Sequence, residues 1–214
     1  MNFDIARYSN EIELFVFISA LSFIPFFLIA ATTFTRNIVV LSFLRHALGL
    51  QQSPPNAILI TLALFLTVFT MKPVLNQSYQ QGIQPYLAEQ LSPEIALGKA
   101  WQPFKQFMLK EVHEEELSLV YRISDAQIPA TAEEVEATEL IPAFLLSELK
   151  TAFKIGFVIF LPFLLIDLLV SAILMSLGMI MVPPITISLP IKIMLFVVID
   201  GWTLIAETLV RSAL

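Results

Sequence analysis

The sequence predicts an all-helical membrane protein in which two hydrophobic helical hairpins flank a small, acidic helical insert. Its 214 residues are 57% hydrophobic and 14% charged, with a mean hydropathy of +0.81, an apolar share above that of a typical soluble domain. The apolar residues form runs of about membrane-spanning length. The acids collect between these runs, because residues 73–148 hold twelve acids and four bases and the rest holds six acids and eight bases. We therefore divide the chain into residues 1–75, 76–141 and 142–214.

The first hairpin begins with residues 14–35, which carry no charge and are long enough to cross a bilayer, with a kink expected at Pro25. The start of the chain lacks the basic region and cleavage site of a signal peptide. Either a signal has been removed or the first apolar run directs insertion. Arg36, Arg45 and His46 then follow without any acid. By the positive-inside rule this connection is cytoplasmic and the N-terminus lies outside.

The second helix of this hairpin follows a double proline. Pro54 and Pro55 interrupt any helix, and Asn56 can cap the next one. The apolar run 57–71 has only fifteen residues, between the length of a spanning helix and that of a buried core helix. The sequence therefore leaves open whether this segment crosses the membrane.

The insert is polar and compatible with helix. A helix is expected to begin at Ser92-Pro93, since serine suits the N-cap and proline the first helical position, and a second helix is expected from Thr131. An apolar stripe at helical spacing predicts a packing surface and not a ligand-binding box; it consists of Trp101, Phe104, Phe107 and Met108. A segment this small and polar cannot hold a large core, so we expect it to pack on copies or partners, outside the membrane.

The C-terminal hairpin is predicted to line or seal a conduit that several subunits form. Two apolar runs, 155–182 and 191–206, flank a turn at Pro183-Pro184. Four ionisable residues lie within or beside the runs: Asp167, Lys192, Asp200 and Glu207. A charge at the bilayer centre costs about 2.5–3.5 kcal/mol, so such side chains face protein or a water-filled path.

The depths and partners of these charges can be estimated from the same hairpin. Counting outward from the turn places Asp167 and Asp200 at similar depth, about 24 Å from the tip, and Asp200 shares a helix face with Glu207. Three acids accompany a single base, Lys192, so we expect that the hairpin cannot pair its own charges. Partners would come from another chain or from water, or the acids would be protonated. The alternative is that these groups lie at solvent-exposed helix ends. The turn is expected to be cytoplasmic and the C-terminus outside.

The sequence contains no complete motif for catalysis, metal binding or phosphate binding. There is no cysteine, and the six glycines are scattered singly, without a phosphate-binding loop. Residues 113–117 begin like a zinc-protease helix, but Leu117 stands where the second histidine is needed, and His46 is alone. We expect no enzyme activity, no metal and no cofactor. The net charge of −6 and the acidic insert argue against nucleic acid as a partner.

Several segments of the chain resemble the motifs of one family. They are residues 41–56 (LSFLRHALGLQQSPPN), 142–144 (PAF), 147–156 (SELKTAFKIG), 175–184 (MSLGMIMVPP), 188–190 (SLP) and 200–202 (DGW). Together they resemble the FliP family of flagellar export-gate proteins, which is related to the SctR proteins of virulence type III secretion. The resemblance extends from Leu14 onward and is weakest across the insert.

The resemblance implies a core subunit of the flagellar export gate in the bacterial inner membrane, through which unfolded flagellar proteins leave the cytoplasm. It implies a pentamer that assembles with FliQ and FliR into a helical oligomer and works with FlhA and FlhB. In the family the hairpins stack largely above the membrane plane, on the periplasmic side. The apolar runs would then be buried against neighbouring subunits and not against lipid.

The family's methionine gasket, which closes the channel, corresponds here to Met175, Met179 and Met181. The family often has three consecutive methionines, and Ile180 interrupts them in this chain. Unbranched thioether side chains adapt to varied surfaces, so a ring of them could close around a passing chain of any sequence. The alternative is that Met179 and Met181 merely pack the turn.

Further residues are expected at the lumen or at subunit contacts. They are Phe144, Glu148, Phe153, Lys154, Phe157, Asp167, Lys192, Asp200 and Glu207. Glu148 is expected to open a helix and to contact a neighbouring subunit, or alternatively to act only as a helix-start charge. The three phenylalanines could instead belong to an aromatic core.

Two other functions compete with the export gate. In an ion-coupled transporter or channel, Asp167, Lys192, Asp200 and Glu207 would relay protons. In a membrane scaffold without a pore, the acidic insert would hold the partners. A relay requires ion movement by the reconstituted chain alone, whereas a gate needs its partner subunits.

Overall fold

The computed structural model describes residues 18–19, 22–129 and 131–213. This part of the chain is helical and contains no strand, which confirms the predicted all-helical class. Its helices are α1 (Ile24–Ala31), α2 (Phe34–Ala47), α3 (Asn56–Leu87), α4 (Pro93–Glu111), α5 (Glu114–Ser124), α6 (Ala137–Ser176), α7 (Ile185–Val198) and α8 (Gly201–Arg211). Within α3 the backbone opens into a π-turn over Tyr79–Ile83, and a single 3₁₀ turn covers Ala132–Glu134.

Two of these helices, α3 with 32 residues and α6 with 40, are long and apolar enough to cross a membrane. The number rises to four if each of two bent pairs counts as one span: α1 with α2, bent by 77°, and α7 with α8, bent by 65°. Several long apolar helices were predicted, and the described residues contain them. The apolar run 57–71, whose crossing the sequence left open, is the first part of a longer helix, because α3 continues through Pro73 into a polar half. The apolar run ends before Lys72, but the polar residues that follow are compatible with a helix and continue it to Leu87.

The bend of the first pair does not lie where the sequence analysis placed it. Pro25 is in the first turn of α1, where a proline is tolerated, and the 77° bend follows at Thr32-Thr33. Thr32 donates its hydroxyl to the carbonyl of Leu28, and Thr35 Oγ1 donates to that of Ile29 at 3.0 Å. The two threonine hydroxyls thus donate to carbonyl groups near the helix break, where carbonyls lose their partners within the helix. Residues 14–17, 20 and 21 of the predicted run lie outside the described residues.

Helices α2 and α6 run side by side in the same direction. Near its start, α2 contacts α6 through Arg36 and Glu148. About two turns further along α2, the rings of Phe43 and Phe153 meet edge to face at 5.1 Å. Gly156 lies against the Phe43 ring, where an added Cβ would approach within 2.7 Å. The close approach of these two helices therefore depends on a residue without a side chain at position 156.

Helices α3 and α7–α8 run in the opposite direction. Asn37 at the start of α2 donates to Thr67 far along α3 at 3.0 Å, whereas Arg45 at its end donates to Asn56, the first residue of α3, at 2.6 Å. Likewise α7 begins beside the end of α2, and Ser212, just after α8, lies beside the start of α2.

The bundle therefore has two distinct ends. At the loop end lie the connections 48–55 and 177–184, and Gly49 of the first lies within van der Waals distance of Ile185 and Leu189 in α7. At the insert end, α4, α5 and the beginning of α6 join the core helices around Arg36. Both loops thus lie opposite the insert, which is the relative arrangement that the sequence topology predicts.

The insert is not separate from the hairpins. The α4 stripe was predicted to pack, and Phe104, Phe107 and Met108 are buried, but against Met71 of α3 and Phe144 of α6. Packing on copies or partners is therefore not needed to bury it, because the flanking helices supply the missing core. The boundaries at 75/76 and 141/142 both fall inside continuous helices, α3 and α6.

The helices of the insert were predicted in part. As expected, α4 begins at Pro93 with Ser92 at the N-cap position. The helix expected from Thr131 is only the 3₁₀ turn, and α6 begins at Ala137. The backbone leaves the helical conformation at Val135, with φ −59° and ψ 123°, where the side chain is buried in the insert core. Helix α5 was not predicted.

Candidate functional site

The most exposed apolar segment of the loop end is the methionine loop, residues 175–184. Helix α6 ends here because Gly178 adopts φ +74°, and the amides of Gly178 and Met179 donate to the carbonyls of Met175 and Leu174 at 3.1 and 2.9 Å. This is the Schellman pattern, in which glycine takes the left-handed position. The turn is therefore wider than expected, since Pro183 and Pro184 end it and do not form its centre.

The side chains of the methionine loop point away from the chain. Met181 is 97% exposed, Met179 is 43% exposed, and Ile180 and Met175 are largely exposed. The alternative that Met181 packs the turn is thus contradicted. An uninterrupted apolar tip of this kind is unusual for a single chain in water and marks a surface that contacts something else.

The neighbouring connection ends α2 in the same way. Gly49 has φ +76°, and the amides of Gly49 and Leu50 donate to the carbonyls of His46 and Arg45 at 2.9 and 3.1 Å. Arg45 Nη1 donates to Asn56 Oδ1 across this loop. The predicted break at the double proline is therefore present, and it is fixed by a charged side chain as well as by the prolines.

Lys192 pairs with an acid of its own hairpin. Lys192 Nζ donates to Asp167 Oδ2 at 2.6 Å and to the carbonyl of Ala47, the last residue of α2, at 3.1 Å. A cation at a helix C-terminus satisfies a free carbonyl and the helix dipole. The expectation that the hairpin cannot pair its own charges is therefore wrong for Lys192 and Asp167. Lys192 is also buried within this chain, which corrects its expected place at a lumen or subunit contact.

The same pair corrects the predicted depths. Asp167 is opposite Lys192, so the centre of the hairpin lies near residue 180, before the two prolines. Asp200 is eight residues beyond Lys192 in the sequence and therefore not at the depth of Asp167. It occupies the bend between α7 and α8 with φ +49°.

The α7–α8 bend is fixed by aromatic packing. The Phe196 ring lies over Gly201 so closely that an added Cβ would meet it at 2.1 Å. Phe196 also contacts the Trp202 ring edge to face at 5.4 Å. Beyond the bend, Glu207 is exposed and lies 3.7 Å from Arg211 on the next turn of α8. The 200–202 motif thus has a structural role: it bends the chain by 65° on its way from the loop end to the insert end.

At the insert end, Arg36 is the centre of a buried charge cluster. Its Nε donates to Glu148 Oε2 at 2.9 Å, and its Nη2 donates to the other oxygen of Glu148 and to Glu111 Oε2 at 2.7 Å. Its Nη1 donates to the carbonyl of Ser212 at 2.6 Å. A planar guanidinium suits such a multidentate site. One side chain thereby connects α2, α4, α6 and the segment after α8.

Glu148 differs from both expectations of the sequence analysis. It lies in the middle of α6, not at a helix start, and none of its surface is exposed in the single chain. Glu148 therefore lies in the interior of this chain and presents no surface to a neighbouring subunit. The sequence analysis placed Arg36 in one basic connection with Arg45, but Arg36 lies at the insert end and Arg45 at the loop end. Glu111 was not singled out. The signal for Arg36 was present, because it is a lone charge within an apolar segment.

The three phenylalanines separate into two groups. Phe144 is buried and contacts Phe107 edge to face at 5.9 Å, so it belongs to the aromatic core and not to a lumen. Phe153 and Phe157 are exposed on α6, together with Lys154. Across the described residues, no group of three or more His, Cys, Asp or Glu side chains could hold a metal ion.

These features define a class of protein: a helical membrane protein with two to four candidate spans and an acidic helical insert. A family model described as the FliP family matches residues 17–209. The chain is 48% identical over 202 residues to the flagellar biosynthetic protein FliP of Pectobacterium carotovorum subsp. carotovorum, an alignment that covers 94% of this chain and 78% of that protein. For the FliP of Caulobacter vibrioides the identity is 49% over 201 residues, with 94% and 76% covered. For that of Bacillus subtilis it is 44% over 204 residues, with 95% and 92% covered.

The chain belongs to the FliP family of flagellar biosynthetic proteins, which are membrane components of the flagellar export apparatus without enzymatic activity. The resemblance drawn from the sequence motifs is thereby confirmed. Family membership also decides between the competing functions, in favour of the export apparatus and against an independent transporter or a scaffold of another kind.

Proposed function

We propose that this chain is a pore-forming core subunit of the flagellar export gate and that its methionine loop closes the channel. The observation that carries the proposal is the loop itself: its methionines are exposed, apolar and held at one end of the bundle by a fixed glycine turn. Such side chains can seal against one another at rest and against an unfolded substrate during export.

The outer faces of α6 and α7 support the assembly part of the proposal. In the single chain they expose large apolar side chains, among them Phe153, Phe157, Val158, Leu165, Leu168, Met194 and Val197. A contiguous apolar surface of this extent has to be covered by lipid or by protein. We infer that copies of this chain, as a pentamer, and the partner subunits FliQ and FliR cover it. FlhA and FlhB would act with the assembled gate.

Three exposed charged residues between α6 and α8 suit protein neighbours better than lipid. Lys154, Asp200 and Glu207 are exposed, and charged side chains in hydrocarbon are costly. A helical oligomer raised towards the periplasmic side would remove this cost, because the apolar helices would then be buried against neighbouring subunits. Lys154, Asp200 and Glu207, with Phe153, Phe157 and Asp167, remain candidates for such contacts.

The gasket can be tested by its seal. In the assembled gate, Met179→Ala together with Met181→Ala should increase the leakage of ions or small molecules through the resting channel, because alanine is too short to fill the ring. Leakage would be measured in cells, or in vesicles that contain the purified complex. Leu97→Ala is the control, since Leu97 is an exposed apolar side chain of α4 in the insert, away from the loop. Equal leakage in the double variant and the wild type would remove the gasket from the proposal.

A further inference from the structure

The connection between α4 and α5 forms a joint that ties the insert to α6. His113 occupies the N-cap position of α5 in an extended conformation. Its backbone N–H donates to Ser147 Oγ of α6 at 3.0 Å. Beside it, Lys150 of α6 donates to Glu115 Oε2 at 2.6 Å and to Glu116 Oε1 at 2.7 Å. Three contacts with α6 thus meet within the first turn of α5.

Two polar atoms in this joint lack a hydrogen-bond partner. Within the described part of the chain, neither His113 Nδ1 nor Glu116 Oε2 makes a hydrogen bond, and both atoms are buried. They lie 3.7 Å apart, slightly too far for a hydrogen bond. A buried polar atom without a partner costs about 1–3 kcal/mol, and here a single proton placed between the two would satisfy both.

The charges around the joint make Glu116 the acceptor. The hydrogen bond from Lys150 holds the pKa of Glu116 below its usual range, so this carboxylate is ionised near neutral pH. The charged groups on the packed elements are Glu111 of α4, Glu114 and Glu115 of α5, Glu148, Lys150 and Lys154 of α6, and Arg36 of α2. Arg36 already binds Glu111 and Glu148, and Lys150 binds Glu115 as well as the first oxygen of Glu116. The second oxygen of Glu116 faces the imidazole.

We propose that His113 is a proton-operated latch between the insert and α6. When the imidazole takes up a proton from solvent, Nδ1 becomes a donor to Glu116 Oε2, and the joint closes. When that proton leaves, Nδ1 can donate at most as part of a neutral imidazole, so the contact loses its charge and weakens, and the first turn of α5 opens more readily. The His113 side chain is 38% exposed, so the proton can arrive from solvent while Nδ1 itself lies inside the joint. Histidine is the side chain whose charge ordinarily changes between about pH 5 and 8.

Backbone amide exchange of the purified full chain tests the latch. After correction for intrinsic exchange rates, we expect protection of residues 112–120 to rise about five- to tenfold from about pH 8 to about pH 6, since the stronger, charge-assisted contact exists only in the protonated form. The rise should be absent in His113→Gln and in Glu116→Gln. In Glu116→Gln the pair of Lys150 with Glu115 remains, so a loss of the pH response there would not reflect general unfolding.

The second histidine of the sequence provides a matched control. His46 lies at the other end of the bundle, and His46→Gln should keep the full pH response. His113→Arg carries a permanent charge and should show high protection at both pH values. A pH response that persists in His113→Gln, or that disappears in His46→Gln, would overturn the latch. If His113→Gln loosened the insert at both pH values, Glu116→Gln would be the deciding variant. An unchanged pH response in Glu116→Gln would then overturn the latch.

Discussion

The two ends of the bundle treat polar and apolar side chains in opposite ways. At the insert end, a fully buried arginine and glutamate connect four parts of the chain. At the loop end, apolar methionines are exposed and the one buried cation, Lys192, binds a half-exposed aspartate. The charges of the Arg36 cluster are therefore paired within a single chain, whereas the loop end presents an apolar tip that a single chain leaves exposed. This difference suggests a fixed support at one end and a contact region at the other.

The largest effect is expected at the Arg36 cluster. Arg36→Met would leave Glu148 buried without its partner, which costs about 3–5 kcal/mol. We expect a much lower denaturant midpoint for the purified chain in a fixed detergent. The double variant Arg36→Met, Glu148→Leu should recover part of this loss, because it removes both buried charges.

The matched control for that prediction is Arg211→Met. Arg211 is exposed and pairs with Glu207 at only 3.7 Å, so its loss should change stability by less than about 0.5 kcal/mol. If the Arg36 and Arg211 variants were equally stable, the insert end would not be the fixed support that the buried cluster suggests.

The bend between α7 and α8 should show an intermediate effect. Gly201→Ala places a Cβ at 2.1 Å from the Phe196 ring, and such overpacking costs about 1–3 kcal/mol. In the same unfolding measurement, Gly98→Ala should stabilise α4 by about 0.5–1 kcal/mol, since nothing lies within 4 Å of its added Cβ. If Gly201→Ala left the free energy of unfolding unchanged, the Phe196 ring would have moved aside, and the bend would not depend on this contact.

The smallest of these effects is expected at Lys192. Lys192→Met removes two hydrogen bonds, but Asp167 has a side chain 37% exposed and can be hydrated instead. We expect a loss of about 1–2 kcal/mol, below that of Arg36→Met. A double-mutant cycle with Asp167→Asn would measure the pair directly. A loss as large as that of Arg36→Met would mean that the two ends are equally dependent on buried charge.

Much of the fold follows from patterns within single segments. The all-helical class, the apolar runs of α3, α6 and α7–α8, the start of α4 at Pro93 and the packing stripe on that helix were all predicted. Each depends on neighbouring residues, through hydropathy, capping or a period of 3.6 residues. Helix α5 and the bend at Thr32-Thr33 were not predicted, because a short acidic helix and a hydroxyl-stabilised break have no strong local pattern.

The partners of the charged residues could not be derived in this way. Arg36 and Glu148 are 112 positions apart, and Lys192 meets a carbonyl 145 positions before it. Counting acids and bases within the C-terminal hairpin predicted that they could not pair, since the count contains no distances. The true centre of that hairpin lies a few residues earlier than the prolines, and this small shift changes which side chain faces Asp167.

The sequence by itself determined that this protein is helical and apolar, and its motifs placed it in its family, because those properties are written in contiguous residues. Only the tertiary structure decided which charges are buried together, which methionines remain exposed and which helices enclose the insert. The physical reason is that a helix pattern specifies a face but not the neighbour that covers it, and the neighbour decides whether a charged side chain is paired, hydrated or left without a partner.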